Sequence, residues 1–386
     1  MHFLRKIKLA TAALGAAFLL VAGAGMAAYR THQEKDSEIF VGAHPHLEGT
    51  RMDTCDACHS RISAPPPGAK EGAVVLSSCD SCHRVTDYGR RKGDTLNPFG
   101  RDYLESGRGA GAFGAIAARD SDRDGFSNAD EIRAATHPGD AASRPGLPPA
   151  PHVILSLDEL KKRNVPVLEQ ALFVNVSKSR DGDSYSDLGG FRLIDVLEAA
   201  GLRKGATAVD VISLDGYTTT FSIEQLRRKY PQAAPVLGLD EATLGECGWV
   251  RYGARGLARG VPLPDADILL SFTVNGEPYP AASISAEGKL VGSGPLRVVA
   301  PQMKNPGIPD ISSRATEACV ARVPERHRYN RDYEKNSDYC VKAVVALRVR
   351  PLPEGTVDLD WTRLAAAAVA EKSVVVFGAV ADAAVK

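Results

Sequence analysis

Seven cysteines and nine histidines are the residues of this 386-residue chain best suited to chemistry, and four of the cysteines repeat one pattern. Cys55-Asp56-Ala57-Cys58-His59 and Cys79-Asp80-Ser81-Cys82-His83 are both Cys-x-x-Cys-His. Two thiols three positions apart can both form thioethers with the vinyl groups of one haem, and the histidine that follows presents its imidazole to the iron. Two covalently attached haems c are therefore expected, with His59 and His83 as proximal ligands. The four cysteines alone would also fit a zinc ribbon or a pair of disulfides. Neither of those needs a histidine after each second cysteine.

The opposite face of each iron needs a second ligand. His44 and His46 lie shortly before the first motif, in Gly42-Ala43-His44-Pro45-His46. Imidazoles on both faces give low-spin, low-potential haems closed to substrate, whereas Met52 as a ligand would raise the potential. His32, His137 and His152 are the other candidates. Few large apolar residues surround the motifs, so the porphyrins themselves must supply much of that segment's core.

After the second motif comes Leu96-Asn97-Pro98-Phe99-Gly100-Arg101-Asp102-Tyr103-Leu104. With the motif before it, this stretch resembles exported bacterial cytochromes in which a haem motif is followed by "LNxFG" and an acidic loop; the resemblance covers roughly 42–148. The acidic loop runs from Asp120 to Glu131 and matches D-x-D-x-D-G-x5-E throughout. Asp120, Asp122 and Asp124 converge on one cation, Phe126 offers its backbone carbonyl, Asn128 sits at position 9, and Glu131 binds through both oxygens. Ser127 stands where paired calcium sensors carry an apolar residue, and Gly109 to Gly114 is a poor entering helix. A single structural Ca2+ staple is the expectation, against a solvated acidic turn without an ion.

The elements that position these groups begin at the N-terminus. Arg5, Lys6 and Lys8 precede an apolar run from Leu9 to Ala28 that ends in small residues, the pattern of a signal peptide (1–28) or of an uncleaved anchor. Either sends the rest of the chain out of the cytoplasm, to the periplasm or cell surface, with membrane contact only if the segment is retained. Lys+Arg and Asp+Glu balance at 47 each, which argues against a nucleic-acid partner. The expected order is a small, mostly irregular or α dihaem domain (29–110), a calcium-loop region (111–140), a Pro-rich spacer (141–152) and an α+β domain (153–386).

In that last domain, Val209 to Leu214 and Tyr217 to Phe221 flank Asp215-Gly216, a hairpin signal, and Ile268 to Val274 precedes Asn275-Gly276. Pro295 to Ala300, Ala343 to Val349 and Ser373 to Phe377 read as strands, Leu193 to Ala200 as an amphipathic helix, and Trp361 as core. Gly189 to Leu197, Leu214 to Tyr217, Val274 to Pro278 and Gly294 to Pro301 resemble the molybdopterin-binding fold of the sulfite oxidase family. In that family a cysteine thiolate upstream of the matching helix binds molybdenum. Here 171–188 contains no cysteine, and Cys247 lies elsewhere in the fold. The resemblance therefore implies the fold without its molybdenum site. Cys319 and Cys340 can pair and close a loop around His327, or remain as thiols.

These readings converge on an exported electron carrier that exchanges electrons with other cytochromes or a membrane complex. Its C-terminal domain would dock a partner or serve a structural role. The alternative is a sulfite-oxidase-like enzyme in which a molybdenum centre feeds the chain's own haems.

Overall fold

The computed structural model describes residues 35–59, 96–175, 184–232, 264–286, 288–304, 311, 315–325, 328–329 and 336–381. The second haem motif (Cys79, Cys82 and His83), the N-terminal run, His32, Cys247 and His327 lie outside these residues. Among the described residues no helix is long and apolar enough to cross a membrane.

The first unit is helical. Helices α1 (Lys35–Ala43), α2 (Pro98–Glu105), α3 (Ala110–Ile116) and α4 (Asn128–Ala134) surround short 3-10 turns at Pro45–Leu47 and Cys55–Ala57. Phe40, Leu47, Met52, Ala57, Phe99, Tyr103, Phe113, Ile116 and Ile132 form one buried cluster. The rings of Tyr103 and Phe113 stack at 4.3 Å, with Phe40 edge-on to Phe113 at 5.3 Å. This cluster crosses the boundary expected near 110, so the segment with the first Cys-x-x-Cys-His motif and the acidic-loop segment share one core. Burial of Phe113 and Ile116 also explains why the glycine-rich 110–116 stretch is helical: tertiary packing overrides weak propensity.

The second unit is built on two sheets. The first has the order β1 (His152–Ser156), β12 (Ser373–Gly378), β11 (Val344–Arg350), β4 (Ala208–Ser213) and β5 (Thr218–Ser222). The second has β10 (Arg297–Val299), β6 (Leu269–Val274), β3 (Ser184–Arg192) and β2 (Leu168–Asn175), with β7 (Glu277–Pro278) added to β6. A further hairpin joins β8 (Ser283–Ile284) to β9 (Leu290–Val291). Strands β4, β11 and β12 are buried along their whole length, which is why they read as near-continuous Val/Ala/Leu runs rather than alternating ones. Mutual hydrogen bonds between Val298 and Val341 (both 2.9 Å) stitch the sheets together. Helix α6 (Leu193–Ala199) contributes Leu193, Ile194, Val196 and Leu197 to their common core. Trp361 and helix α9 (Thr362–Ala370) cover the other face of the first sheet. Helices α5 (Leu157–Lys162), α7 (Ile223–Arg227) and α8 (Glu317–Arg322) complete the unit.

The Pro-rich stretch is not a free spacer. Ala150 donates to Val357 O at 2.8 Å, Val357 donates to Pro148 O at 3.0 Å, and Gly378 donates to Pro151 O at 3.0 Å. The chain is pinned along the sheet unit before it enters β1, because its carbonyls complete hydrogen bonds that the unit would otherwise leave open.

Candidate functional site

The first Cys-x-x-Cys-His motif is a tight turn. Cys58 N–H (3.2 Å) and His59 N–H (2.9 Å) both donate to Cys55 O. Cys55 and Cys58 are both free thiols. Burial, helped by the Asp36 carboxylate, pushes the Cys58 thiol up to about 12. A thiol so far above neutrality is not the activated nucleophile of a redox Cys-x-x-Cys pair.

The Leu-Asn-Pro-Phe-Gly stretch holds this turn from outside. Leu96 bridges His59, and Asn97 N–H donates to Cys58 O at 3.0 Å. The Asn97 amide donates to Asp56 O (3.3 Å) and Ala57 O (3.1 Å), while its oxygen caps α2 by accepting Gly100 N–H at 2.8 Å. Pro98 opens the helix, where its missing N–H costs nothing. Gly100 must lack a side chain, because a Cβ there would lie 2.1 Å from Cys58 O. The clamp thus grips the first motif, although the second is closer in sequence.

The two upstream histidines have different surroundings. His46 Nε2 hydrogen-bonds the Ile132 carbonyl of α4 at 3.2 Å. His44 Nε2 is buried with no partner among the described residues, and the ring lies 5.2 Å from Phe40 and 5.9 Å from Phe113. Burial, then the neighbouring His46, lowers its pKa and keeps the imidazole neutral, the form that binds metals. Met52 is wholly buried in the helical core. His152 lies on β1, paired with Phe377. His137 is buried at the seam between the units, its Nε2 4.0 Å from Asp358 Oδ2.

Asp120, Asp122 and Asp124 bring carboxylate oxygens within 4.8 Å of one another. Asp120 accepts Asp124 N–H (3.1 Å) and Gly125 N–H (2.9 Å), and Gly125 makes the sharp turn at φ 100°. Both oxygens of Asp122, both of Glu131 and one of Asp124 are buried without partners. Burial, then the charges of Asp124 and Asp120, raises Asp122 to about 6. Burial, then Asp122, Asp124 and Asp120, raises Glu131 to about 9. Such an all-oxygen set fits a hard divalent cation.

Two details differ from the expected ligand set. Asn128 is spent on the loop itself: its amide donates to Ile116 O (2.8 Å) and Ser121 Oγ (2.9 Å), and its oxygen accepts Ser121 N–H (3.3 Å). Ser127, out of place for a calcium sensor, caps α4 by accepting Asp130 N–H at 3.2 Å. The Phe126 side chain is exposed, and its N–H donates to Asp124 Oδ1 at 2.9 Å.

The expected Cys319–Cys340 bridge is not formed. Cys340 is a free thiol that donates to Asn336 O at 3.2 Å, whereas Cys319 is disulfide-bonded elsewhere. Cys340 closes the 3-10 turn at Asn336–Asp338 and packs under the second sheet beside Leu269 and Val299. Its fixed, inward placement, rather than its nearness in sequence, decides the pairing.

A charged group that sequence reasoning missed lies beneath the Cys55–His59 turn. Arg348, in the middle of β11, pairs with Asp210 (2.8 Å), Asp358 (2.7 Å) and Asp56 (3.3 Å). Arg350 also meets Asp210 at 2.8 Å, and Thr220 Oγ1 donates to Asp210 at 2.7 Å. Burial opposes the Arg348 charge, but Asp358, Asp210 and Asp56 outweigh it and hold the guanidinium well above its ordinary pKa. The available signal was a charge inside otherwise apolar strands, at Val209-Asp210-Val211 and Leu347-Arg348-Val349.

No family model, curated protein or solved structure matches the chain.

Proposed function

We propose that the chain is an extracytoplasmic dihaem c-type cytochrome that acts in electron transfer. The observation that carries this reading is the first motif: two free thiols on a clamped turn beside the aromatic core, with the half-buried His44 near that core, its Nε2 enclosed and without a partner among the described residues. Cys55 and Cys58 would hold the porphyrin, His59 would bind the iron, and His44 rather than His46 suits the opposite face. When bound, haem supplies reversible one-electron chemistry. The protein's own residues fix the turn, exclude water with Phe40, Phe99 and Phe113, and supply the charges around the site. Cys79, Cys82 and His83 would hold the second haem by the same chemistry.

The Asp120–Glu131 loop would hold one Ca2+ through Asp120, Asp122, Asp124, the Phe126 carbonyl and Glu131. Its role would be structural, because α4 and the Ala135 cap at its end carry the carbonyls that hold His46 and Arg51. The sheet unit would act as a scaffold or docking module, in keeping with its resemblance to a molybdopterin-binding fold that lacks the metal-binding cysteine.

Metal analysis of protein matured in a host that makes c-type cytochromes tests this. About two irons and about one calcium per chain are expected, without molybdenum, together with a reduced pyridine-haemochrome spectrum that Cys55→Ala alters. A colourless protein holding zinc would overturn the reading. Stoichiometric molybdenum would transfer the function to a molybdenum oxidoreductase feeding its own haems.

A further inference from the structure

Among the described residues the sheet unit meets the Cys55–His59 turn at Asp56, and that contact assigns it a role. Asp56 lies between the two thioether cysteines, so covalent attachment would hold it against that porphyrin. Its carboxylate meets Arg348, which is 292 residues away in the chain and belongs to the other unit. Arg348 is fixed by β11, by Asp210 directly opposite it on β4, and by Asp358. Arg51, a few residues before the motif, is largely buried in the same seam and donates twice to Ala135 O, at 3.0 and 2.7 Å. A polar cavity lined by Arg51, Thr54, Asp56, His137 and Arg348 lies between the units, with room for about one water.

A planar guanidinium bound by three carboxylates has no rotational freedom to follow a moving partner. Its charge sits at low dielectric, where a unit charge acts over several ångströms with little screening. We infer that Arg348 is a positioning residue for the first haem: it seats the Cys55–His59 turn on the sheet unit through Asp56, and its charge helps set that haem's potential. This rests on the haem reading above. It gives the sheet unit a function that needs no molybdenum: without the unit, the first haem site lacks part of its electrostatic wall.

The test is spectroelectrochemical titration of haem-loaded wild type, Asp56→Asn, Arg348→Met and Arg348→Lys. Asp56→Asn removes a negative charge beside the porphyrin, leaves Arg348 less compensated and favours the state with one more electron, so one of the two haem potentials should rise. Arg348→Met removes the positive charge, and the same haem should fall. Arg348→Lys keeps the charge without the fork and should lie near wild type. Loosening of the turn alone would move both charge-removing variants in one direction. Shifts of the same sign, equal shifts of both haems, or no shift would overturn the inference. Should Arg348→Met fail to fold, Arg348→Gln takes its place with the same expected fall, and a rise or no shift there overturns the inference. A wild type loaded with two haems whose potentials ignore these substitutions sinks the inference and leaves the cytochrome reading standing. A wild type without haem sinks both.

Discussion

The helical unit and the sheet unit build their interiors in opposite ways. In the sheets, strands β4, β11 and β12 are buried end to end, and the charges they carry are paired, Arg348 and Arg350 with Asp210. In the helices a modest aromatic cluster is ringed by polar atoms that the protein leaves without partners: His44 Nε2 and the carboxylates of Asp122 and Glu131. A buried polar group without a hydrogen bond costs roughly 1–3 kcal/mol. A small unit cannot carry several of these on its own core. The sheet unit also holds unpartnered polar atoms, at Arg297 Nε and Ser373 Oγ, but among the described residues it is the helical unit that gathers three such carboxylates, Asp122, Asp124 and Glu131, in one place.

The sharpest break of that comparison is to withhold haem. In protein made without haem maturation, amide hydrogen exchange should show near-complete loss of protection in helices α1 to α4, while β4, β11 and β12 stay protected. Equal loss in both units would show that the sheets also depend on the haem turn. The converse substitution is Phe221→Ala, in the middle of the sheet core and fully buried. Truncating such a ring costs roughly 3–5 kcal/mol. The denaturation midpoint of the sheet unit should fall while haem staining at Cys55 and Cys58 persists.

Calcium gives a smaller effect confined to the helical side. A cation held at about 100 times its dissociation constant stabilises the fold by about 2.7 kcal/mol. Chelator should therefore lower the first thermal transition of wild type, and Asp122→Asn combined with Glu131→Gln should abolish that response. An identical melt with and without chelator would remove the cation from the account. The sheet transition should not move in either case.

How much of this was legible in the sequence depended on how local the deciding interaction is. The Val209–Leu214 and Tyr217–Phe221 runs around Asp215-Gly216 became β4 and β5, and the acidic dodecapeptide became a carboxylate cluster, because turn chemistry and β-prone composition act over a few residues. Trp361, read as core, is buried against α9 and the first sheet. For Asn128 the loop motif gave the position but not the bonds its amide makes to Ile116 O and Ser121 Oγ. The Cys319–Cys340 pairing was misread because nearness along the chain says nothing of where Cys340 points. The pairing of Arg348 with Asp56 could not be read at all, since it exists only once two separately built units meet.

The smallest expected effect is also the most local, at the clamp. Asn97 bonds in three directions at once, to the α2 N-terminus and to two carbonyls of the haem turn, and Gly139 approaches so closely that a Cβ there would lie 2.4 Å from its side chain. Asn97→Ala removes an N-cap, a loss of about 1 kcal/mol, and leaves the Asp56 and Ala57 carbonyls short of a donor. Asn97→Asp keeps the cap and loses only the two bonds to the turn. If the clamp serves the haem turn and not merely the helix, both variants should lower the yield of covalent haem, whereas only Asn97→Ala should lower α2 protection in hydrogen exchange. Equal haem yield in wild type and Asn97→Asp would reduce the Leu-Asn-Pro-Phe-Gly stretch to a helix start, and the helical unit would then depend on its ligand for stability but not for the shape of the turn that receives it.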